Sequence, residues 1–291
     1  MKNKNRKGII LAGGSGSRLS PLTKIISKQL LPIFNKPMIF YPLSVLMLSG
    51  IKEILIITDE KNFNLYKELL GDGSRYGLNL SYKIQKKPNG IAEAFIIGED
   101  FINGNPVALI LGDNIFFGNN FANVLKKINN DIKSSHIFLY HLSNPKDFGV
   151  AKLDKSNNVI KIIEKPKKLI SSYAVTGLYF YNSDICNIAK KLKPSDRGEL
   201  EITDLNNLYI KKNKLKAHFL GRGFSWYDTG TFENLLEASI NIRNLETRQD
   251  IRIGLIDEIS YNNNWISKKQ LLNNLDFYSK TEKDYLKKII N

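Results

Sequence analysis

Residues able to handle phosphate recur in this chain where apolar runs end. Gly8-Ile9-Ile10-Leu11 stops abruptly at Ala12-Gly13-Gly14-Ser15-Gly16-Ser17-Arg18. This is the shape of a buried strand feeding a glycine loop. Such glycines let successive backbone N–H groups form an anion-binding concavity. Arg18 adds a guanidinium fork suited to phosphate. Two familiar phosphate loops do not fit. No Lys-Ser/Thr pair follows the glycines, and Leu19 stands where a dinucleotide fingerprint needs its third glycine.

Transfer of a group at phosphorus needs charge neutralisation and in-line placement more than covalent help. A magnesium ion on one or two carboxylates is the usual device. Asp113 follows an apolar run through Gly112, at a strand's carboxyl end, where open α/β sheets bind ligands. Asp228 lies in Trp226-Tyr227-Asp228-Thr229-Gly230, just before a helical pattern. Unaided, Asp113 reads equally as a turn residue and Asp228 as a helix cap. Lys165 ends a strand pattern in Ile163-Glu164-Lys165-Pro166, and the proline predicts an extended backbone at Lys165. Gln29 and Gln85 carry amide donor and acceptor pairs, although either alone reads equally as a surface residue. Nothing indicates a nucleophile: Gly-x-Ser-x-Gly is absent, and Cys186 has no motif partner.

These residues need a scaffold, and the first half of the chain supplies one. Strand patterns at 8–11, 53–57, 80–84, 107–111 and 137–141 alternate with helical patterns at 39–49, 62–70, 91–99 and 121–131. Alternation of this kind predicts an α/β fold with a mainly parallel sheet covered on both faces. Further strands are expected at 149–153, 159–164, 173–180 and 215–220, with a turn at Lys155-Ser156-Asn157-Asn158. Helices are expected at 183–192, at 200–211 with Glu199 and Glu201 in the first turn, and at 231–245 with Thr231 as N-cap. From Ile256 onward the pattern is polar and helical.

The chain carries 43 Lys and Arg against 28 Asp and Glu, a formal net charge of +15. The lysines are scattered and no nucleic-acid-binding motif occurs, so the field suits anionic small molecules rather than nucleic acid. One cysteine and three histidines leave no disulfide pair and no zinc cluster. No apolar run spans a membrane and no signal peptide is recognisable. A reducing, cytoplasmic setting is the expectation.

LAGGSGSRLSPLT followed by SKQLLPIFNKPMIFYPL resembles the signature of sugar-nucleotide pyrophosphorylases, in particular of their glucose-1-phosphate thymidylyltransferase branch. The similarity runs from about residue 7 to about 269. It includes LLGDGSRYGLNLSYKIQ, LILGDNIFFG, IIEKP, YAVTGLYFY, RGELEITDLN and WYDTGTFENLLEAS. The resemblance implies a Rossmann-like mixed sheet flanked by helices, with an inserted sugar-binding β region. It implies a core over 1–245, nucleotide-binding to about 135 and sugar-binding from about 136, then a C-terminal helical appendage over 246–291. It also implies dTTP and glucose 1-phosphate as substrates, dTDP-glucose and pyrophosphate as products, and a homotetramer. The reaction would open dTDP-rhamnose or deoxysugar synthesis. Asp113 and Asp228 would hold Mg²⁺. The nucleotide would meet Leu11, Ala12, Gly13, Gly14, Gly16, Ser17, Arg18, Lys28, Gln29, Gln85, Pro88, Gly90 and Asp113, with Arg18 and Lys28 bracketing the triphosphate. The sugar phosphate would meet Asn114, Gly149, Glu164, Lys165, Val175, Thr176, Tyr179, Arg197 and Trp226.

The chain departs from the family at an accessory nucleotide site used for end-product inhibition. Asn119 stands where histidine is common. Asn262, in Glu258-Ile259-Ser260-Tyr261-Asn262, stands where arginine is usual. Neutral asparagine lacks the charged fork that suits a pyrophosphate, so weak feedback control is expected. Phe148 replaces a more usual tyrosine near the sugar pocket.

Overall fold

The first apolar run folds as a central strand, β1 (Lys7–Leu11). Ile10 is buried in the core on one face of the sheet, and Ile9 and Leu11 in the core on the other. A strand covered on both faces needs no polar alternation, hence the unbroken apolar run. The computed structural model describes residues 5–14 and 16–290. Ser15 of the glycine loop lies outside the described residues.

The other strands are β2 (Pro32–Ile33), β3 (Lys36–Pro37), β4 (Glu53–Thr58), β5 (Asn79–Ile84), β6 (Val107–Leu111), β7 (Asn114–Phe117), β8 (Ser135–His141), β9 (Gly149–Leu153), β10 (Val159–Glu164), β11 (Tyr173–Tyr181), β12 (Leu215–Leu220) and β13 (Ser225–Asp228). The α-helices are α1 (Phe40–Leu48), α2 (Phe63–Leu70), α3 (Glu93–Ile97), α4 (Glu99–Ile102), α5 (Phe121–Asn130), α6 (Ile185–Ala189), α7 (Ile202–Lys211), α8 (Phe232–Gln249), α9 (Ile256–Asn262), α10 (Lys268–Asn274) and α11 (Lys280–Ile289).

Strands β5, β4, β1 and β6 lie side by side and parallel. Antiparallel β11 follows β6, and beyond it the sheet forks. One branch continues to β8 and β12, the other to β9 and β10. The result is the expected mixed, mainly parallel sheet flanked by helices, with antiparallel strands added in the second half. The branching comes from β11 itself: β8 runs along one edge, while β6 at Leu178–Tyr181 and β9 at Ala174 share the other.

Most expected elements are present, with three differences. The helix expected over 91–99 is two short helices, α3 and α4, meeting at Gly98. A Cβ there would lie 2.9 Å from the Ala94 carbonyl oxygen. Helix α7 begins at Ile202, so Glu199 and Glu201 precede it rather than fill its first turn. The ribbon of β7 and β13 has no counterpart in the sequence patterns: two four-residue strands more than a hundred residues apart carry no local signal. Thr231 does cap α8, accepting from the Asn234 backbone N–H at 3.2 Å. Helix α8 continues past residue 245, and α9 packs on α1 with Ile256 in the main core.

Candidate active site

The β7–β13 ribbon brings the two aspartates together. Asp228 pairs in register with Asn114, next to Asp113. Thr229 locks the junction, its hydroxyl donating to the Asp113 carbonyl at 2.9 Å and its backbone N–H at 3.2 Å. Asn114 is a buried clamp. Its oxygen accepts from the Trp226 indole at 2.7 Å and the Gly177 N–H at 3.0 Å, and its nitrogen donates to Asp113 at 3.0 Å. Gly177 is required here, because a Cβ would lie 2.6 Å from the Asn114 oxygen.

The pair is electrostatically tense. Burial pushes the Asp228 carboxyl up, and the neighbouring Asp113 charge raises it further, to about 6 despite Lys28, Arg18 and Lys165. Burial also opposes ionisation of Asp113, but Lys28, bonded to it at 2.5 Å, holds that carboxyl below its ordinary value. Two hard oxygen donors with one excess buried negative charge fit a small divalent cation. Among the described residues no cluster of three or more His, Cys, Asp or Glu could hold a metal. Two carboxylates suffice for Mg²⁺ when phosphate and water supply the remaining ligands.

A cavity of about 540 Å³ opens over these residues. Its lining includes Arg18, Asp113, Asn114, Lys165 and Asp228 together with Gly149, Glu164, Val175, Tyr179 and Trp226. The Arg18 guanidinium lies against Gly230, where a Cβ would come within 2.8 Å of it. Thr203 donates to Glu164 at 2.5 Å, and burial raises the Glu164 carboxyl against that bond and the pull of Arg197 and Lys165. Lys165 is not extended. Its φ is +42°, and its N–H donates to the Phe148 carbonyl at 3.0 Å. That bond turns the chain at the end of β10, so the proline's bias loses to the strand-end contact. A non-glycine residue held in this region is strained, which is common at functional sites.

A second cleft of about 210 Å³ adjoins the first, sharing Ile91, Leu111 and Asp113. Leu11, Gly13, Gly14, Gln29, Gln85, Pro88 and Gly90 line it. Gly14 and Gly16 both have positive φ, as the cradle requires. The Pro88-Asn89-Gly90 turn is tied to Leu200, whose N–H donates to Asn89 at 2.7 Å.

Other expected site residues sit elsewhere. Thr176 is fully buried, its hydroxyl without a hydrogen-bond partner, while its neighbours Val175 and Gly177 line the cavity. Strand alternation turns it away. Arg197 is held bidentate by Glu201 at 2.8 Å and lies near Glu164 and Glu199. Lys28 is engaged by Asp113, and Ala12 is buried beneath the loop; Gly16 and Ser17 do not line either cleft. Sequence reasoning missed Asp147, Gly177, Ile91 and Thr203 as lining residues. Two of them stood inside segments already recognised, Gly177 in YAVTGLYFY and Thr203 in RGELEITDLN.

The accessory segments also converge. Gly118, Asn120, Lys126, Arg252, Glu258 and Asn262 line a separate cavity of about 410 Å³. The Glu258 carboxyl is raised by burial and accepts from the Tyr285 hydroxyl at 2.9 Å. Asn119 is not among the lining residues.

Known proteins match this arrangement. The family description "Nucleotidyl transferase" covers residues 7–244. The chain belongs to the nucleotidyl transferase family. It is 49% identical over 265 residues to the glucose-1-phosphate thymidylyltransferase of Neisseria meningitidis, covering 91% of this chain and 92% of that one. It is 46% identical over 266 residues to the enzyme of the same name from Mycobacterium tuberculosis, covering 91% and 92%. A Bacillus anthracis protein assigned to the same activity and crystallised with sucrose superimposes with a TM-score of 0.77. It is 40% identical, covering 87% of this chain and 99% of its own. No helix among the described residues is long and apolar enough to cross a membrane.

Proposed function

We propose that the chain transfers a thymidylyl group from dTTP to glucose 1-phosphate, giving dTDP-glucose and pyrophosphate. The observation that carries this reading is the Asp113–Asp228 pair at the junction of two clefts, with Arg18 and Lys165 on the same walls. Asp113 and Asp228 would hold Mg²⁺, which supplies charge neutralisation at the phosphates when bound. Lys165 binds the sugar phosphate and sets its oxygen in line with the α-phosphorus. Arg18, which lines the cavity beside Gly230, stabilises the departing pyrophosphate. Gln29, Gln85 and the Pro88–Gly90 turn receive the base; Glu164, Gly149, Val175, Tyr179 and Trp226 receive the sugar. The proposed division of labour follows the chain, with nucleotide binding before about 135 and sugar binding after it. The product would feed deoxysugar synthesis. Both substrates are multiply charged metabolites, so the reading keeps the reaction in the cytoplasm.

The test is pyrophosphate release from glucose 1-phosphate with dTTP, UTP, CTP, ATP and GTP in turn. Highest turnover with dTTP is expected. Highest turnover with UTP assigns the chain to UDP-sugar synthesis, and no release with any nucleotide makes it a sugar-nucleotide sensor.

We also propose that the chain self-associates through α8. Phe232, Leu236 and Ile240 form a stripe 43%, 62% and 48% exposed. Glu233 and Glu237 stand beside it in the first half of α8, and Arg243 and Arg248 follow it in the second half. An antiparallel second copy would set acidic half against basic half. This supplies one of the two contacts a homotetramer needs. Leu236→Glu should lower the solution mass measured by light scattering; an unchanged mass removes α8 from the interface.

A further inference from the structure

We propose that Glu93 is a positioning residue that fixes which end of the Gln85 amide faces the nucleotide cleft, and so sets discrimination against cytosine. The proposal rests on the nucleotide reading above. A glutamine amide has two ends of nearly equal shape, one donating and one accepting. Free to turn over, it can satisfy either kind of pyrimidine edge. Gln85 is not free. Its nitrogen donates to Glu93 Oε2 at 2.7 Å, and its oxygen lies toward Gly13, whose added Cβ would come within 2.9 Å of it. A carboxylate has no proton to give. Turning Gln85 over would set oxygen against oxygen, losing a charge-assisted hydrogen bond and adding a repulsion.

Glu93 is itself pinned. Its other oxygen accepts from the Asn89 side chain at 2.8 Å. Asn89 sits between Pro88 and Gly90, both of which line the same cleft as Gln85. One carboxylate therefore holds both the reading amide and the turn beside it.

Gln29, which lines the same cleft, shows what a reversible hold looks like. The Gln29 oxygen accepts from Ser27 Oγ at 2.7 Å, and Ser27 Oγ also contacts the Tyr66 hydroxyl at 2.8 Å. Hydroxyls donate or accept as required, so this network can reverse with the amide. The Glu93 hold cannot.

The acceptor that Gln85 presents matches the N3–H of a keto pyrimidine. Cytosine has a lone pair at that position and would meet the Gln85 oxygen unfavourably. The carboxylate thus selects thymine and uracil over cytosine and is indifferent to the 5-methyl group.

The experiment measures kcat/KM for dTTP, dUTP and dCTP with saturating glucose 1-phosphate. Wild type is compared with Glu93→Gln, whose amide can donate as well as accept and so frees Gln85 to turn. The dTTP:dCTP ratio should fall at least fivefold, through KM rather than kcat, while the dTTP:dUTP ratio changes less than twofold. A smaller fall in the dTTP:dCTP ratio, or an equal loss for all three nucleotides, overturns the proposal. Glu93→Met, which removes the acceptor without adding a donor, carries the same expectation if the glutamine variant does not fold. Wild type that uses no pyrimidine triphosphate refutes the nucleotide reading and this proposal with it. Wild type that prefers dTTP, beside an unchanged ratio in both variants, refutes the role of Glu93 alone.

Discussion

The cavity around Asp113 and Asp228 and the one beside Asn262 are both assembled from distant segments, yet their charges are arranged differently. In the first, Asp113 and Asp228 are forced side by side, and burial with mutual repulsion drives the Asp228 carboxyl up to about 6. In the second, Glu258 and Arg252 already have partners. Glu258 accepts from Tyr285, and the Arg252 guanidinium lies 4.7 Å from the centre of the Tyr285 ring and donates to the Ile251 carbonyl. Asn262 adds no charge. Unrelieved electrostatic tension marks the place where a ligand of opposite sign is needed. The contrast teaches that electrostatic tension is concentrated where the two aspartates meet and not around Asn262.

The contrast is broken most sharply by neutralising one aspartate. Asp113→Asn or Asp228→Asn should cut turnover by orders of magnitude, because each removes a carboxylate proposed to hold the metal; Asp228→Asn, which also removes an unfavourable buried charge, should leave folding near normal, whereas Asp113→Asn leaves Lys28 without its partner. Steady-state turnover at saturating dTTP, beside a melting curve, checks this; wild-type-like turnover in folded Asp113→Asn refutes the pair.

Phosphate contacts come next. Lys165→Ala should mainly damage use of glucose 1-phosphate, and Arg18→Ala should mainly damage use of dTTP and the chemical step. Each loss should be about 1.5–3 kcal/mol, roughly one to two decades in kcat/KM. Varying each substrate in turn separates the roles, and equal modest losses for both substrates in both variants would erase the distinction.

The smallest effect belongs to the accessory cavity. Inhibition by dTDP-rhamnose should be weak in wild type and strengthen in Asn262→Arg, which restores a charged fork facing the cavity. The measurement is inhibition with dTTP limiting and then saturating. Potent wild-type inhibition that saturating dTTP cannot relieve, unchanged by the arginine, would show that the neutral residue does not matter.

Much of this was legible before any coordinates. The apolar runs fixed β1, β4, β6 and the helices between them, because strands buried on both faces leave a continuous signal. The glycine loop and Asp113 were legible for the same reason, since they end such strands. Other features depend on pairings that no local pattern carries. Asp228 meets Asp113 only through the β7–β13 ribbon. Thr176 faces away from the cavity because of its place in the alternation of β11. Arg197 is engaged by Glu201, one helical turn on in sequence, although α7 begins only after that glutamate. The turn at Lys165 runs against the local rule for a residue before proline, since its hydrogen bond to Phe148 prevails. Glu93 gave no signal at all, being one acidic residue in an ordinary helical stretch until its two hydrogen bonds were seen.

The most direct test of the central claim follows the oxygen. Glucose 1-phosphate labelled with ¹⁸O throughout its phosphate is incubated with unlabelled dTTP, and both products are analysed by mass spectrometry. Attack of the sugar phosphate on the α-phosphorus predicts that dTDP-glucose keeps all of the label and pyrophosphate carries none. Label in the pyrophosphate, or release of labelled orthophosphate instead, would contradict the account.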